Sequence, residues 1–232
     1  MTTPPGPPGT VEVVDDVAAA FADTVVRAFA ARPGPRFSLV LSGGPTARRC
    51  YERLADAAAG TVDWGLVDVL MGDERCVAPD DPDANQRLVR EALLERVGPV
   101  TFLPMSCDAG PEAYQDVLSA FPALDLVHLG MGPDGHTASL FPGSPVLETP
   151  PGTLVVRSVD PNDANPHARM SLTYEAIGRA RLVVFTVSGE SKRRAFEAVC
   201  AGDDLPAARV RAGAVRWLVD VEAAGVAPSP AG

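Results

Sequence analysis

Short runs of apolar residues alternate along the chain with segments whose apolar residues recur at helical spacing. The apolar runs predict strands at residues 11–14, 37–41, 67–71, 100–103, 124–129, 154–159, 170–172, 182–187 and 215–219. The helical spacing predicts helices from Asp15 or Asp16 to about residue 31 and over residues 47–59, 84–97, 112–120 and 191–200. This alternation is typical of βαβ units, and the runs are continuously apolar because both faces of a parallel sheet are covered. We therefore predict an α/β fold with a mainly parallel sheet flanked by helices, one domain over residues 10–224, and disordered tails at 1–9 and 225–232.

Glycine-rich and polar segments follow several of the predicted strands. In open parallel sheets, ligands bind at the carboxyl ends of the strands, so we expect these segments to act together. After the strand at 37–41 comes Ser42-Gly43-Gly44-Pro45-Thr46. The glycines allow close approach of the backbone, and the following helix offers free N–H groups and a positive dipole end, which suits a phosphate. The alternative is a tight turn in which Thr46 caps the next helix.

Charged residues stand at the ends of three further predicted strands. Asp73, Glu74 and Arg75 follow the strand at 67–71. Asp73 could handle a proton or bind a sugar hydroxyl, and Arg75 offers a donor fork for a phosphate or an oxyanion; an ion pair in a solvated loop is the alternative. Arg169 begins the strand segment at 170–172, and Lys192 is the only lysine among 20 basic residues. Both could bind an anion, although surface charge is the usual role of such residues.

The segment from Gly130 to Gly135 fits the pattern GxGxxG. A dinucleotide-binding fingerprint needs a sustained helix after it, and the prolines and glycine at 142, 143 and 145 leave room only for a short one, so we reject it. His136 follows in this loop, and an imidazole that titrates near neutrality suits a general base that the carboxylate of Asp134 orients. A hydrogen-bonded loop histidine is the alternative. A metal site is not expected, because no second histidine or cysteine stands at ligand spacing.

The other two histidines have different surroundings in the sequence. His128 lies within the apolar run at 126–129, so we predict a core or hydrogen-bonded histidine. His167 lies in a polar loop with no clear partner.

Composition and charge limit the classes of partner and the cellular compartment that we expect for this protein. The 232 residues carry a formal charge of −10, which works against nonspecific binding to nucleic acid or anionic membranes. The four cysteines form no CxxC, so we expect reduced thiols in a cytoplasmic protein. The first residues have no basic start or apolar h-region, and no run of 18 apolar residues exists, so neither a signal peptide nor a transmembrane helix is predicted.

Four stretches together resemble the 6-phosphogluconolactonase family, within the wider family that includes glucosamine-6-phosphate deaminase. They are LSGGPTARRCYERL (41–54), MGDERCVAPDDPDANQRL (71–88), LDLVHLGMGPDGHTASLFPG (124–143) and ARMSLTYEAIGRARLVVFTVSGESKRRAF (168–196). The resemblance spans most of the chain. It implies a Rossmann-like open sheet of the deaminase type and hydrolysis of 6-phosphogluconolactone without a cofactor. It also implies a phosphorylated sugar lactone as the sole partner, and we expect a monomer or a weak homodimer.

The resemblance assigns roles by position. His136 matches the general base, and Asp73 and Arg75 match an acidic-basic loop. Five residues match the phosphate-binding groups: Ser42, Gly43 and Gly44 in one loop, with Arg169 and Lys192. From its hydroxyl alone, Thr46 in the same loop is a further expected substrate-binding residue. A lactone carbonyl is accessible, so one base and one positioned water can suffice for hydrolysis. The oxyanion donor stays open between Arg75 and backbone N–H groups.

Two other functions are weighed against this one. Deaminase relatives resemble DGHIAFNEPG at this loop, and Phe141 stands here where they carry a glutamate that assists ring opening. A non-catalytic sugar-phosphate sensor would not need His136, and no helix-turn-helix pattern accompanies the domain.

Overall fold

The computed structural model describes residues 6–226 of the chain. In this range the strands are β1 (Thr10–Val13), β2 (Phe37–Leu41), β3 (Val67–Met71), β4 (Asp73–Arg75), β5 (Thr101–Leu103), β6 (Leu124–Gly130), β7 (Val155–Ser158), β8 (Arg169–Leu172), β9 (Ala180–Val187) and β10 (Val215–Val219). The helices are α1 (Val17–Ala30), α2 (Pro45–Ala57), α3 (Asn85–Ala92), α4 (Gly110–Ser119), α5 (Tyr174–Gly178), α6 (Arg193–Ala201) and α7 (Val221–Ala224). None of these helices has the length and apolar character that a bilayer crossing would require.

Seven strands form one parallel sheet in the order β1-β10-β9-β6-β2-β3-β5. Every residue of β2 and β3 is buried, as expected for strands covered on both faces. The predicted α/β fold with a parallel sheet and flanking helices is therefore confirmed. Strands β2, β3 and β10 begin and end at the predicted residues.

The order in which the chain adds strands to the parallel sheet reverses between β2 and β6. From β2 the chain continues through α2 to β3 on one side, whereas β6, β9 and β10 lie on the other side. The loops that leave β2 and β6 therefore diverge and open a crevice at the carboxyl edge of the sheet, where ligands bind in folds of this kind.

A second, smaller sheet carries the charged residues and was not predicted. Strands β4, β8 and β7 pair antiparallel in that order. The alternative in which Asp73–Arg75 is a solvated loop with an ion pair is therefore wrong, because these residues form a strand. The change of sheet takes place at Gly72, whose N–H donates to the Leu41 carbonyl at 2.7 Å and whose carbonyl accepts from Leu172 N–H at 2.9 Å. Apolar runs could not predict this strand, because all three of its residues are charged.

Helix α1 shows how local sequence fixes an element. The Asp16 carboxylate accepts hydrogen bonds from the N–H groups of Ala18 at 2.9 Å and Ala19 at 3.1 Å, which satisfies the first turn. Phe21 and Val25 are buried on one face, so the predicted start at residue 15 or 16 and the predicted apolar face are confirmed.

Other helices depart from the predicted bounds. The helix predicted at 84–97 ends at Ala92 and is followed by a 3₁₀ turn at Leu94–Arg96, and α5 was not predicted. After Gly135 the chain forms only a 3₁₀ turn, Pro145–Leu147, before β7, which agrees with the rejection of a dinucleotide fingerprint.

The described residues include parts of both segments that were predicted as disordered tails. Within the tail predicted at 1–9, the Pro8 carbonyl accepts a hydrogen bond from the Trp217 side chain at 2.9 Å. A Cβ at Gly9 would lie 2.0 Å from the Val215 carbonyl oxygen, so this residue packs directly on β10. Gly225 ends α7 with a positive φ of 68°. Residues 1–5 and 227–232 of the predicted tails lie outside the described residues.

Cys76 and Cys107 form a disulfide bond across 31 residues, with their Cα atoms 5.4 Å apart. The prediction of four reduced thiols is therefore wrong for this pair, while Cys50 and Cys200 are free. The bond joins the end of β4 to the segment between β5 and α4. Spacing in the sequence could not reveal the pair, because only the fold brings these two segments together.

We expect reduction of this bond to lower the free energy of unfolding by about 3 to 4 kcal/mol, because the closed loop restricts the unfolded chain. Urea unfolding with and without a reducing agent measures the difference. A Cys76→Ser variant serves as the control and should not respond to the reducing agent. Equal stability of the oxidised and reduced wild type would contradict the expectation.

Candidate active site

A cavity of about 300 Å³ opens at the carboxyl ends of β2, β6 and β9. It contains all of the predicted site residues except Asp134, namely Ser42, Gly43, Gly44, Thr46, Asp73, Arg75, His136, Arg169 and Lys192. The main sheet supplies the glycine loops and Lys192, and the small sheet supplies Asp73, Arg75 and Arg169. We call this cavity the crevice.

His136 and Asp134 form a hydrogen-bonded pair at the edge of the crevice. Nδ1 of His136 lies 2.6 Å from Oδ1 of Asp134, and the same oxygen accepts the backbone N–H of His136 at 3.1 Å. Burial raises the pKa of Asp134, but its bonds to His136 outweigh this, and the pKa is lowered overall. An ionised carboxylate only accepts hydrogen bonds, so Nδ1 carries a proton, and in the neutral imidazole Nε2 then has the free lone pair. This arrangement is suited to a general base.

The loop conformation fixes the position of this imidazole. Gly132 N–H donates to the His136 carbonyl at 2.8 Å, and Gly135 N–H donates to the Gly132 carbonyl at 3.0 Å. A Cβ at Gly132 would lie 2.1 Å from His136 Nδ1 and 2.5 Å from Asp134 Oδ1, so only glycine fits. The ring of Phe141 packs against the imidazole with centroids 4.8 Å apart.

Asp73 is buried and its carboxylate has several partners. Ser139 Oγ donates to Oδ2 at 2.7 Å, and Asn85 Nδ2 donates to Oδ1 at 3.2 Å. Arg169 Nη1 lies 3.8 Å from Oδ2. Because Ser139 belongs to the loop that carries His136, Asp73 joins the small sheet to that loop.

Two guanidinium groups line the crevice with unused donors. Arg75 Nη1 donates to the Asp83 carbonyl at 2.6 Å, and Arg169 Nη2 donates to Asn165 Oδ1 at 3.3 Å. The Nε–H of each arginine is buried and finds no acceptor within residues 6–226. Burial lowers the pKa of Arg169, and the charge of Asp73 opposes this. Unsatisfied buried donors are costly, so both groups favour an oxygen-rich ligand.

The start of α2 presents backbone N–H donors at one end of the crevice. Gly44 is the N-cap with φ of 105°, and Pro45 is the first helical residue, so the alternative in which Thr46 caps the helix is wrong. The N–H groups of Thr46 and Ala47 have no acceptor in the described part of the chain. Such a helix start attracts an anion. Burial lowers the pKa of Lys192 in the same crevice, and the charge of Asp134 opposes this.

Ser42 lies in the crevice wall, but its donors are used within the protein. Its hydroxyl donates to the His128 carbonyl at 2.9 Å, and its backbone N–H donates to the Tyr51 hydroxyl at 2.9 Å. We therefore assign to Ser42 the positioning of the loop instead of a contact with phosphate. Gly43 gives Asn85 room, because a Cβ there would lie 1.7 Å from Asn85 Oδ1.

The remaining histidines lie outside the crevice lining. His128 is fully buried between Tyr51 and Thr186, which confirms the prediction of a hydrogen-bonded core histidine. His167 has a partner that the sequence did not reveal, since its Nε2 lies 2.9 Å from Asp83 Oδ2. No group of three histidine, cysteine or carboxylate side chains within the described range is placed to hold a metal ion.

Several residues that line the crevice were not predicted as site residues. They are Asn85, Asn165, Thr186 and Ser188. Asn85 is the most informative, because its side chain is buried, donates to Asp73, and leaves Oδ1 without a partner within residues 6–226. In the sequence, the only indication of a role for Asn85 in the site is its position directly after the polar segment that follows Arg75.

Comparison with known proteins agrees with this geometry. Residues 8–219 match the family model "Glucosamine-6-phosphate isomerases/6-phosphogluconolactonase". A 6-phosphogluconolactonase of Nostoc sp. is 36% identical over 92% of this chain and 96% of its own length. One of Mycobacterium tuberculosis is 39% identical over 82% of this chain and 85% of its own.

A solved structure shows the same relationship. The 6-phosphogluconolactonase of Trypanosoma brucei superposes with a TM-score of 0.83 at 28% identity, covering 94% of this chain and 98% of that one. The family match spans both sheets and every residue of the crevice described above. The chain therefore belongs to the glucosamine-6-phosphate isomerase/6-phosphogluconolactonase family.

Proposed function

We propose that this protein hydrolyses 6-phospho-D-glucono-1,5-lactone to 6-phospho-D-gluconate, a reaction of the oxidative pentose phosphate pathway. The observation that carries the proposal is the pairing of His136 with Asp134 in the same crevice as the free N–H groups at the start of α2. A base and an anion-binding site in one crevice fit a substrate that has a reactive carbonyl and a phosphate. The names of the similar proteins give the same activity.

The mechanism follows from the proton positions. The phosphate binds at Gly43, Gly44 and Thr46 with Lys192. His136 Nε2 takes a proton from water while the water oxygen attacks C1, and the carbonyl becomes an oxyanion. Arg75 or Arg169 stabilises that oxyanion with a guanidinium donor. The C1–O bond of the ring then breaks, and protonated His136 returns its proton to the leaving ring oxygen.

The direct test follows acid release from freshly prepared 6-phosphogluconolactone, with the spontaneous rate subtracted. Hydrolysis well above that rate supports the proposal. Tight binding of the sugar phosphate without hydrolysis would instead indicate the sensor. Release of ammonia from glucosamine 6-phosphate would indicate a deaminase, but Phe141, in place of the deaminase glutamate, is fully buried and has no acid to offer.

We expect Lys192→Ala to raise KM for the phosphorylated lactone about tenfold or more, with a smaller change in kcat, because a charge-assisted bond to phosphate is lost. Steady-state kinetics on phosphorylated and unphosphorylated gluconolactone measure the effect. Arg193→Ala is the matched control, since the neighbouring Arg193 donates to the Glu222 carbonyl and does not line the crevice. An unchanged KM in Lys192→Ala would contradict a phosphate contact.

The proposed substrate is the only partner we propose. The formal charge of −10 opposes nucleic acid and anionic membranes. A cytoplasmic monomer or weak homodimer stays our expectation from the sequence. Because disulfides are rare in reducing compartments, the thiol state of Cys76 and Cys107 in cells tests the cytoplasmic location.

A further inference from the structure

Glu74 is a buried carboxylate next to the crevice, and the proposed mechanism does not use it. It lies on β4 between Asp73 and Arg75, which both line the crevice. Successive side chains of a strand point to opposite faces, so Glu74 points away from the crevice and into the protein. Only 1% of the residue is exposed. A carboxylate buried to this degree needs hydrogen-bond partners.

The partners of Glu74 are three backbone N–H groups. Oε1 accepts from Arg75 and from Asn85, each at 2.7 Å, and Oε2 accepts from Gln86 at 2.7 Å. Asn85 and Gln86 are the first two residues of α3, and the N-cap of that helix, Ala84, has no side-chain oxygen. Glu74 therefore caps α3 from β4, where the positive end of the helix dipole favours a negative charge.

Asn85 connects this cap to the crevice. Its backbone N–H is held by Glu74, while its side-chain Nδ2 donates to the Asp73 carbonyl at 3.0 Å and to Asp73 Oδ1 at 3.2 Å. The two hydrogens of the amide thus have two acceptors, and these bonds hold the Asp73 carboxylate in the crevice. Asn85 Oδ1 packs on Gly43, where a Cβ would collide with it. A displacement of the start of α3 would therefore disturb both Asp73 and the Gly43 loop.

The hydrogen bonds of Glu74 require it to be ionised. Within residues 6–226 every hydrogen-bond partner of its carboxylate is a donor, so the proton of a neutral carboxyl would find no acceptor. Burial raises the pKa of Glu74 to about 7, the three N–H bonds oppose the rise, and the charge of Asp73 adds to it. Burial lowers the pKa of Arg169 on β8 and raises that of Tyr114 on α4, and the charge of Glu74 favours the protonated form of both. The charge of Glu74 therefore changes near neutral pH.

We propose that Glu74 is a positioning residue: as a carboxylate it fixes Arg75 and Asn85 in the arrangement that binds the sugar phosphate, and its protonation loosens that arrangement. The inference rests on the proposed function, since it concerns the binding of the same sugar phosphate. A carboxyl whose pKa is raised by folding makes the folded state more stable as the pH falls. Weaker binding at low pH would therefore reflect a change in the crevice and not unfolding.

The first test compares the wild type with Glu74→Gln, which has the shape of the protonated side chain. Calorimetry with 6-phosphogluconate, the proposed product, measures the affinity of both proteins at about pH 8.5 and about pH 6. We expect Glu74→Gln to bind about tenfold more weakly than the wild type at the higher pH, because charge-assisted bonds are lost. At the lower pH the difference should shrink to about twofold, since Glu74 of the wild type is then mostly protonated. Titration of His136 and of the ligand occurs in both proteins and cancels in this ratio.

Glu91→Gln is the matched control for this comparison. Glu91 is a carboxylate of the same helix, accepts a hydrogen bond from Arg87 and does not line the crevice. Its loss should leave the affinity equal to that of the wild type at both pH values. Two results would overturn the proposal: wild-type affinity of Glu74→Gln at the higher pH, or a loss of the same size at both pH values, as a merely structural role would produce.

Asn85→Ala provides a second test that does not depend on the folding of Glu74→Gln. This variant keeps the N–H group that is bonded to Glu74 but lacks the amide that holds Asp73. Between the two pH values, the affinity of the wild type for 6-phosphogluconate should therefore fall more steeply than that of Asn85→Ala. Equal pH dependence of the two proteins would overturn the proposed connection between Glu74 and the crevice.

The two proposals fail in different ways. Binding is measured without turnover, so a wild type that binds 6-phosphogluconate but does not hydrolyse the lactone contradicts the proposed function and still tests the role of Glu74. A wild type that hydrolyses the lactone and shows no pH-dependent difference from Glu74→Gln contradicts only the further inference. A wild type that neither hydrolyses the lactone nor binds 6-phosphogluconate contradicts both.

Discussion

We expect His136→Ala to lower kcat by about 10²- to 10⁴-fold while KM changes little, because the variant loses the group that takes the proton from water. The proposed phosphate contacts at the start of α2 do not involve the imidazole, so we expect substrate binding to persist. Steady-state kinetics on 6-phosphogluconolactone, corrected for spontaneous opening, measure both constants.

His167→Ala provides the matched control for this prediction. His167 is also a loop histidine bonded to a carboxylate, with its Nε2 2.9 Å from Asp83, but it does not line the crevice. Its loss should leave kcat near the wild-type value. A normal kcat in His136→Ala would end the general-base mechanism.

Gly132→Ala should lower kcat by about 10²-fold, although no functional group is removed. The added methyl would lie 2.1 Å from His136 Nδ1, so the imidazole must move out of its bond with Asp134. Displacement of a catalytic group by about 1 Å costs activity on this scale. Kinetics together with the circular dichroism spectrum separate a displaced imidazole from a misfolded chain.

A double variant identifies the cause of that loss. If Gly132→Ala acts by moving His136, then Gly132→Ala combined with His136→Ala should be no slower than His136→Ala alone. Additive losses would show that the methyl group harms the site in another way.

The sequence predicts the strands correctly where both faces of a strand are buried. β2, β3 and β10 are apolar on both faces, and their predicted bounds are the observed ones. β4 could not be found in this way, because Asp73, Glu74 and Arg75 are held by pairing with β8 and not by apolar packing. A run of apolar residues predicts a strand that is buried by apolar packing. β4 has no such run, because hydrogen bonds and charged side chains hold it in place.

The sequence predicts those site residues that follow the end of a predicted strand. Those ends brought Gly43, Arg75 and His136 into one crevice, as expected from a parallel sheet. Thr186 escaped notice because it lies inside an apolar strand, where its neighbours indicate only the core. Likewise, the sequence could not show that the Ser42 hydroxyl donates to the His128 carbonyl, because the two residues are 86 positions apart and only the fold brings them together.

The division of the crevice between two sheets affects how such a protein can diversify. The anchors for an anion depend on the register of β2, β6 and β9, and changing them would disturb the core. The charged side chains of β4 and β8 depend on a three-stranded sheet whose strands, within residues 6–226, pair only with one another. Under the proposed function, substitutions in this small sheet can therefore change the groups offered to the sugar ring without disturbing the parallel strands that carry the proposed phosphate contacts.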